Sequence, residues 1–421
     1  MKTIFYSIAI ALLAGGCNSI SQPSHPIVPK EDSSARKISA SIGDLSTKDY
    51  NYYHDLVKRH FEANLLRRGF NGGILVAKNG VVVYEAYQGF RDLRIKDSLT
   101  TQTPMHIASA SKTFTGMAVL QLIQQGKLNL DDTLGKFFPG FPYAGVTIKT
   151  LLDHRSGLPN YIHYLDNAKW NKTKMVTNQD VLNSLYTLKP NIESFPDRRF
   201  HYSNTNYALL ALIIEKITGE AYPVYMKKTI FDPVGMKDTY VATHADSAHL
   251  TPSFDARGRK WKPDYLDETY GDKNIYSTPR DLLKWDLAVS SGQIINQQMM
   301  ELAFTPYSNE RPSIHNYGLA WRLLMLKNGK KIIYHNGRWH GSNAAFARLQ
   351  AEKATIIIIG NRYNSNIYLS AKKAYDLFGA STGDASDDDE DKLTGGDDRE
   401  SSTGRSIASL SAGSGSSGHK K

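Results

Sequence analysis

The position of the strand-forming segments is the feature of this 421-residue sequence that most constrains its fold. Two β-branched runs flank Asn79-Gly80 within 73–84, and they predict a hairpin because both turn residues must accept positive φ. The other strand-like runs stand near the opposite end, at 331–335, 343–349 and 354–360. The sequence therefore predicts an α/β (α+β) fold in which one antiparallel sheet, flanked by helices, is built from both chain ends around an inserted, mainly helical lobe.

Apolar residues at helical spacing predict the helices around this sheet. They indicate a first helix over about 48–68, a second over 109–125 and a closing helix over about 366–378. Loops and helical patterns fill the region between. We therefore expect one domain over 45–379, with its helical lobe at about 127–270.

The C-terminal segment 380–421 consists largely of Ser, Gly and Asp and lacks the aromatic and branched residues that offset the entropy of ordering. We expect a disordered, acidic tail. Its nine acidic and five basic residues leave the rest of the chain at a net charge of +14, against +10 overall. The basic residues of the body are scattered in pairs such as Arg67-Arg68, so we expect no nucleic-acid partner.

The N-terminus has a basic residue, an apolar stretch too short to span a bilayer permanently, and small residues before Cys17, the single cysteine. This predicts a signal peptide over 1–16 and a flexible tether over 17–44. Cys17 after Ala14-Gly15-Gly16 resembles a bacterial lipobox, in which the thiol is lipidated. We expect a lipid-anchored protein of the bacterial cell envelope, facing the periplasm. The alternative is an ordinary signal peptide with an incidental cysteine.

Ser109-Ala110-Ser111-Lys112 is a Ser-x-x-Lys motif at the start of an apolar helix. Three residues along a helix place the hydroxyl and the amine on one face. A serine hydroxyl becomes a good nucleophile when a neighbouring base takes its proton. A lysine serves as that base when burial or nearby positive charge lowers its pKa. The motif therefore predicts a nucleophile at Ser109 with Lys112 beside it.

The same pattern also begins at Ser34, Ser370 and Ser417. The first and last of these lie in the polar ends of the chain, and we expect Ser370 at the surface of the closing helix. Ser109 is favoured because its lysine points into packed surroundings. The motif alone is a weak signal, and its partners decide between the candidates.

Tyr202-Ser203-Asn204 supplies a phenol that can relay a proton and an amide that can bind substrate. Tyr307-Ser308-Asn309 repeats the tripeptide in a loop-like setting, whereas Tyr202 precedes a well-formed apolar helix, so Tyr202 is favoured. A third element, His335-Asn336-Gly337, follows a strand-like run and ends in a glycine that lets substrate backbone approach closely.

In this order the three motifs resemble the β-lactamase-related serine hydrolases, which include class C β-lactamases, D-alanyl-D-alanine carboxypeptidases, D-aminopeptidases and several esterases. The likeness extends to 126–132, 151–159, 276–282 and 317–321, and it covers about 50–378. It implies that Ser109 is acylated and that Lys112 and Tyr202 share the acid and base work. It also implies that no metal or organic cofactor takes part. The substrate-binding and oxyanion positions that it implies are Asn204, His335, Asn336, Gly337 and Arg338, the last through its backbone N–H together with that of Ser109.

Departures from the family pattern bear on the substrate. His335 stands where class C β-lactamases usually carry lysine, which favours a peptidase or esterase. Arg338 replaces a small residue, and it either binds a substrate carboxylate or narrows the cleft. We expect a serine hydrolase that acts through an acyl-enzyme on peptidoglycan-related D-amino-acid peptides or small esters. The alternative is a binding module of the same fold that holds penicillin or wall fragments without effective turnover. Which of Lys112 and Tyr202 is the base stays open, as does the oligomeric state.

Overall fold

The computed structural model describes residues 44–380 and residue 382. The strands of this part of the chain are, in order, β1 (Gly72–Lys78), β2 (Val81–Gln88), β3 (Phe90–Asp92), β4 (Asp97–Ser98), β5 (Met105–His106), β6 (Tyr240–Val241), β7 (Ile275–Ser277), β8 (His315–Tyr317), β9 (Arg322–Met325), β10 (Lys331–Trp339), β11 (Ser342–Leu349) and β12 (Ala354–Gly360). The main sheet has seven strands in the order β2-β1-β12-β11-β10-β9-β8. All its pairings are antiparallel.

The predicted assembly of this sheet from both chain ends is confirmed. β1 and β12 are neighbours, with Leu75 opposite Ile357. The predicted hairpin joins β1 to β2, and both of its turn residues are left-handed, with φ of 54° at Asn79 and 78° at Gly80. Side chains alternate between the two faces of each strand. Leu75 and Ile357 therefore pack on one side of the sheet, and Ile74 packs on the other.

Helices cover both faces of the sheet. The helices of the described part of the chain are, in order, α1 (Thr47–Phe61), α2 (Ser111–Gln124), α3 (Leu134–Phe137), α4 (Ile148–Leu152), α5 (Tyr161–Asn167), α6 (Asn178–Thr187), α7 (Asn204–Thr218), α8 (Tyr222–Met226), α9 (Asp232–Val234), α10 (Pro279–Ser290), α11 (Gln297–Ala303) and α12 (Asn366–Tyr375). Short π-helical turns follow α1 and α8 at Glu62–Leu66 and Lys227–Phe231, and 3₁₀ turns lie at Ala108–Ala110, His244–Asp246 and Asp376–Phe378. None of the helices in the described residues is long and apolar enough to cross a membrane.

The two faces of the sheet have separate hydrophobic cores. On one face, α1 and α12 pack through Val57 and Phe61 of α1 against Ile74 and its neighbours. On the other face, Phe114 of α2 and Trp285 of α10 stack with ring centroids 4.2 Å apart, and both side chains are fully buried. The second core continues into the helical lobe, so α2 is packed on all sides and positions its first turn rigidly.

The described residues contain elements that the sequence did not predict, among them the short strands β3 to β9. Helices continue past residue 270 through α10 and α11, and β8 and β9 lie in a region with no predicted strand. These two strands have three and four residues, which is too few for a periodic signal.

Part of the predicted tail belongs to the folded body. Ala380 is fully buried, and Thr382 donates its hydroxyl proton to Asp376 Oδ1 at 2.8 Å. Both residues follow the expected boundary at 379, and the division of the chain into domains stays a prediction. The predicted signal peptide, the tether up to residue 43, Cys17 and the remainder of the tail lie outside the described residues.

Candidate active site

The chain leaves β5 and enters α2 through the 3₁₀ turn Ala108–Ala110, which carries Ser109. The predicted helix therefore begins two residues later, and Lys112 lies in its first turn. Ser109 is only half-buried, whereas Lys112 has no exposed surface. The Lys112 ammonium donates to Ser109 Oγ at 3.1 Å, so the two groups of the motif are in direct contact.

Two further acceptors hold the Lys112 amine. It donates to Asn204 Oδ1 at 2.7 Å and to the backbone oxygen of Asp272 at 2.8 Å. With Ser109 Oγ, these acceptors use all three N–H groups of an ammonium. All three acceptors are neutral oxygen atoms.

Tyr202 lies next to this amine. Ser203 caps α7 and Asn204 is its first residue, so the buried helix fixes the position of the whole tripeptide. The Lys112 Nζ atom is 4.9 Å from the Tyr202 ring centroid. The hydroxyl of Tyr202 is buried and makes no hydrogen bond with the described residues. A buried polar group without a partner is uncommon, and it is available to a ligand.

The ring of Tyr202 is held between two side chains that the motif analysis did not assign to the site. His154 packs on it with ring centroids 4.2 Å apart, and the Arg322 guanidinium lies 5.2 Å from its centroid. His154 Nδ1 accepts the backbone N–H of Ser203 at 3.2 Å. Burial, together with the charge of Lys112, holds the pKa of His154 well below its ordinary value, so the ring is neutral. The sequence marked His154 only as part of a family-like segment, and nothing marked Arg322.

Strand β10 passes the nucleophile turn at Gly337. Its pairing with β9 ends at Tyr334 and Arg322, which leaves the strand beyond that point paired only to β11. A Cβ atom at Gly337 would lie 2.2 Å from the oxygen of Ile107 and 3.0 Å from the nitrogen of Ser109. Only glycine allows this approach, which places the strand backbone at residue 337 against the backbone of Ser109.

The rest of the third motif lies around this contact. His335 is fully buried beneath the site, where its Nε2 is 3.2 Å from the Tyr317 hydroxyl and its Nδ1 is 2.7 Å from the Asn336 oxygen. Burial and the charge of Arg322 hold the pKa of His335 well below its ordinary value. The buried ring contacts Tyr317 and its own strand, and its role in substrate binding stays a prediction.

Asn336 and Arg338 are each half-exposed on β10. The Arg338 guanidinium lies 4.7 Å from the centroid of the Tyr363 ring. The side chain of Arg338 is thus held against an aromatic ring on one side of the strand, while its backbone continues past the nucleophile turn.

The segment 271–275 touches the nucleophile helix repeatedly, and the sequence analysis missed it. The Gly271 oxygen accepts from Thr115 Oγ1 at 2.7 Å, and the Asp272 oxygen accepts from Lys112. The Ile275 N–H donates to Ser111 Oγ at 3.2 Å. These contacts use mainly backbone groups, which leave no side-chain pattern in the sequence.

The competing motif matches lie elsewhere. Ser370 is buried in α12 on the opposite face of the sheet and donates to the Asn64 oxygen at 3.3 Å, while Lys373 is exposed. The Tyr307 hydroxyl donates to the Leu302 oxygen at 3.0 Å. Ser34 and Ser417 are outside the described residues. Of the matches that the structure describes, only the one at Ser109 has its lysine and its tyrosine assembled in one place.

Two cavities lie near Tyr202, and His201 is in the wall of both. One of about 490 Å³ contains Arg199, Arg311, Arg322 and Glu310 in its wall, and one of about 600 Å³ contains Tyr202 itself. The Glu310 carboxylate is already bound, by Arg155 at 2.8 Å and by the Phe200 N–H at 2.6 Å. The first cavity is therefore positively charged. Across residues 44–380 and 382, no group of three or more His, Cys, Asp or Glu side chains is placed to hold a metal ion.

The family described as Beta-lactamase has a model that matches residues 57–379. A penicillin-binding protein of Bacillus subtilis (strain 168) is 32% identical over 327 residues, which cover 74% of this chain and 72% of that relative. A solved penicillin binding protein from Bacillus halodurans superposes with a TM-score of 0.66 at 21% identity, covering 76% of this chain and 98% of its own. For a D-amino acid amidase from Ochrobactrum anthropi SV3 the TM-score is 0.61 at 23% identity, with 78% and 96% covered. The chain therefore belongs to the Beta-lactamase family.

Proposed function

We propose that this protein is a serine hydrolase that works through an acyl-enzyme on Ser109. The contact between Lys112 Nζ and Ser109 Oγ, at 3.1 Å, carries this proposal. The lysine is fully buried, and its other partners are neutral oxygens of Asn204 and Asp272. A base in hydrogen-bond contact with a serine hydroxyl is the arrangement that nucleophilic catalysis requires.

In the proposed reaction, Ser109 Oγ attacks the carbonyl carbon of the substrate and gives its proton to a base, which is either Lys112 as the neutral amine or Tyr202 as the phenolate. The oxyanion that forms accepts hydrogen bonds from the backbone N–H groups of Ser109 and Arg338, which the close approach of Gly337 supports. A proton then passes to the leaving group as its bond to carbon breaks. Water hydrolyses the acyl-enzyme by the same groups, releasing the acid and restoring the Ser109 hydroxyl.

Asn204 supports the acyl side of the proposed site. Its Oδ1 atom is occupied by Lys112, and its NH₂ group has no hydrogen-bond partner in the described part of the chain. That NH₂ group is the end of the amide that can bind a substrate carbonyl. Asn204 would thus orient the base and the acyl chain together.

We infer that the substrates are peptides containing D-amino acids, or small esters. The cavity beside Tyr202 supports a peptide, because its guanidinium groups at Arg199, Arg311 and Arg322 outnumber its one bound carboxylate. A leaving residue with a free carboxylate fits such a wall. The penicillin-binding relative and the amidase fold neighbour are compatible with the same class.

The test compares the purified protein with Ser109→Ala on p-nitrophenyl esters, a D-Ala-D-Ala peptide and a chromogenic cephalosporin. Ser370→Ala is the matched control, because Ser370 begins the second described Ser-x-x-Lys match. We expect turnover that Ser109→Ala abolishes and Ser370→Ala leaves intact. Unchanged turnover in Ser109→Ala would refute the proposal. Acylation without release on every substrate would favour the binding module of the same fold.

We also propose that Cys17 anchors the protein to a bacterial envelope membrane through a lipid. The apolar run and small residues before Cys17 support this. Acyl chains hold a protein at a bilayer by burying methylene groups at about 0.8 kcal/mol each. Metabolic labelling with an alkyne fatty acid should mark the wild-type chain and not Cys17→Ser. Equal labelling of both chains would contradict the anchor.

A further inference from the structure

The residue before the nucleophile has an unusual backbone conformation. Ala108 has φ of 49°, in the left-handed region, and is fully buried. Residues with a Cβ atom seldom adopt this region, because Cβ approaches the following carbonyl. Ala108 is also where the chain turns from β5 toward α2. Its conformation therefore sets where the hydroxyl and the backbone N–H of Ser109 point.

His106 holds this conformation. The Ala108 N–H donates to His106 Nδ1 at 3.2 Å, a contact across two residues that closes the turn. The ring of His106 is itself fixed: its residue pairs with Tyr276 in β7, and the two ring centroids lie 5.0 Å apart in an edge-to-face arrangement. Only 4% of His106 is exposed, so the ring has little freedom to move.

Asn274 sets the protonation pattern of this ring. His106 Nε2 lies 3.1 Å from Asn274 Oδ1. The backbone N–H of Asn274 also points to Nε2, at 3.3 Å. With Nδ1 accepting from Ala108, a neutral ring has its proton on Nε2 and donates it to Asn274 Oδ1, the shorter of the two contacts at that nitrogen. Burial lowers the pKa of His106 to about 4, which keeps the ring neutral. Asn274 is left-handed too, with φ of 72°, and its NH₂ group donates to the Asp267 oxygen.

We propose that His106 and Asn274 are positioning residues for Ser109, acting through the hydrogen bond that holds Ala108 in its left-handed conformation. Neither residue touches the reacting atoms. Together they keep the Ser109 hydroxyl next to Lys112 and the Ser109 N–H next to Gly337. This inference rests on the proposed function, because it assigns a role in presenting the nucleophile.

Two substitutions of His106 test the roles of its two ring nitrogens separately. In His106→Asn the side-chain oxygen can take the place of Nδ1 and still accept the Ala108 N–H. In His106→Gln the longer side chain reaches Asn274 and leaves Ala108 without its acceptor. We expect His106→Gln to lower kcat by about 100-fold with KM nearly unchanged, since a small displacement of a reacting group has an effect of this size. His106→Asn should stay within about tenfold of wild type, because the acceptor is retained.

Ala108→Gly provides the rescue. Glycine adopts positive φ without the steric penalty, so it needs no acceptor at His106. The double variant His106→Gln/Ala108→Gly should regain at least about tenfold of the lost kcat, and Ala108→Gly alone should stay close to wild type. A merely structural role for His106 would not produce this rescue.

The experiment measures the rate at which a fluorescent penicillin acylates Ser109. Steady-state kcat and KM on an ester, and the thermal unfolding of each variant, are measured beside it. His60→Gln is the matched control, because His60 Nε2 bonds the Ser370 oxygen at 2.9 Å on the opposite face of the sheet. Slow acylation in His106→Gln with rescue by Ala108→Gly would support the proposal. Wild-type acylation in His106→Gln, or no rescue in the double variant, would overturn it.

Two further results of this experiment bear on the proposal. If wild type itself is neither acylated nor active, the proposed function fails and the positioning role falls with it. If His106→Gln does not fold, Asn274→Ala replaces it. It removes the Oδ1 partner of Nε2 and the side-chain bond to the Asp267 oxygen, and it leaves the backbone N–H of residue 274 at Nε2. Impaired acylation in Asn274→Ala that Ala108→Gly restores would support the proposal, and unimpaired acylation would overturn it.

Discussion

A Cβ atom at Gly337 would lie 2.2 Å from the carbonyl oxygen of Ile107, so β10 passes the nucleophile turn at backbone contact. These two residues are separated by most of the helical lobe in sequence. The contact joins the strand of the third motif to the turn of the first. Any side chain at Gly337 must push the strand and the turn apart.

Gly337→Ala should lower kcat/KM by about 100-fold to 1,000-fold, because the N–H groups of Ser109 and Arg338 would no longer converge on one oxyanion. Steady-state kinetics on an ester measures this loss. Gly135→Ala is the control, since a Cβ atom there meets nothing within 4 Å. Wild-type activity in Gly337→Ala would show that the strand does not contribute to the oxyanion hole.

Lys112→Met should abolish acylation and also destabilise the protein. Methionine has a similar shape but donates no hydrogen bond, so Asn204 Oδ1 and the Asp272 oxygen would be left without their donor. Each unsatisfied buried group costs about 1–3 kcal/mol, which urea unfolding can detect. Lys373→Met, in the exposed second match, should change neither quantity. Retained acylation in Lys112→Met would exclude the lysine as a required base.

Tyr202→Phe should separate activity from stability. The hydroxyl is buried without a partner in the described residues, so removing it breaks no hydrogen bond and should leave the melting temperature equal to or above that of wild type. Loss of a proton relay should lower kcat by about 100-fold to 10,000-fold. Tyr307→Phe breaks the bond to the Leu302 oxygen and should show the reverse pattern, with activity kept and stability reduced. A large fall in the melting temperature of Tyr202→Phe would mean that its hydroxyl has a structural partner.

The free energy of unfolding should fall steeply as the pH is lowered below 7. Burial lowers the pKa of His106 to about 4 and those of His154 and His335 well below the ordinary value, so the unfolded chain binds more protons below about pH 6.5. Asp153 acts in the opposite sense below about pH 6, because burial raises its pKa to about 6 and the folded protein takes up that proton first. His60 and His201, whose pKa values burial also lowers, add to the effect of the three histidines, so the histidines outweigh Asp153 between pH 6 and 4.

Each uncompensated proton should lower the free energy of unfolding by about 1.4 kcal/mol per pH unit. Urea unfolding at half-unit steps from pH 7 to 4.5 measures the slope. His154→Gln should reduce the slope by one proton, and a substitution of the exposed His163 should not reduce it. A flat curve in this range would contradict the buried, neutral state of the three rings.

The sequence predicted the sheet well because its central strands carry long β-branched runs such as Ile356–Ile359, whose burial leaves a clear signal. It did not predict β8 and β9, which are short, nor the helices past residue 270. The first two motifs lie next to each other in space, where Lys112 donates to Asn204, and the roles of their residues stay predictions. His335 was expected among the substrate-binding residues; its ring is fully buried next to Tyr317, and its role stays a prediction.

The contacts that support the site could not be predicted from the sequence, and the reason is physical. Lys112 is held by the backbone oxygen of Asp272, and a backbone acceptor is present at every residue. Likewise, the left-handed conformation of Ala108 has no sequence signature, because alanine usually occupies the right-handed region. Contacts of this kind depend on which distant segments the sheet brings together.

The central claim is that Ser109 forms a covalent acyl-enzyme, and trapping that species tests it most directly. The purified protein is incubated with a penicillin, quenched in acid and measured by intact mass, and the modified peptide is then sequenced by tandem mass spectrometry. We expect one acyl group per chain, located on Ser109, and none in Ser109→Ala. An adduct on another residue would contradict the account. So would turnover that forms no adduct and is as fast in Ser109→Ala as in wild type.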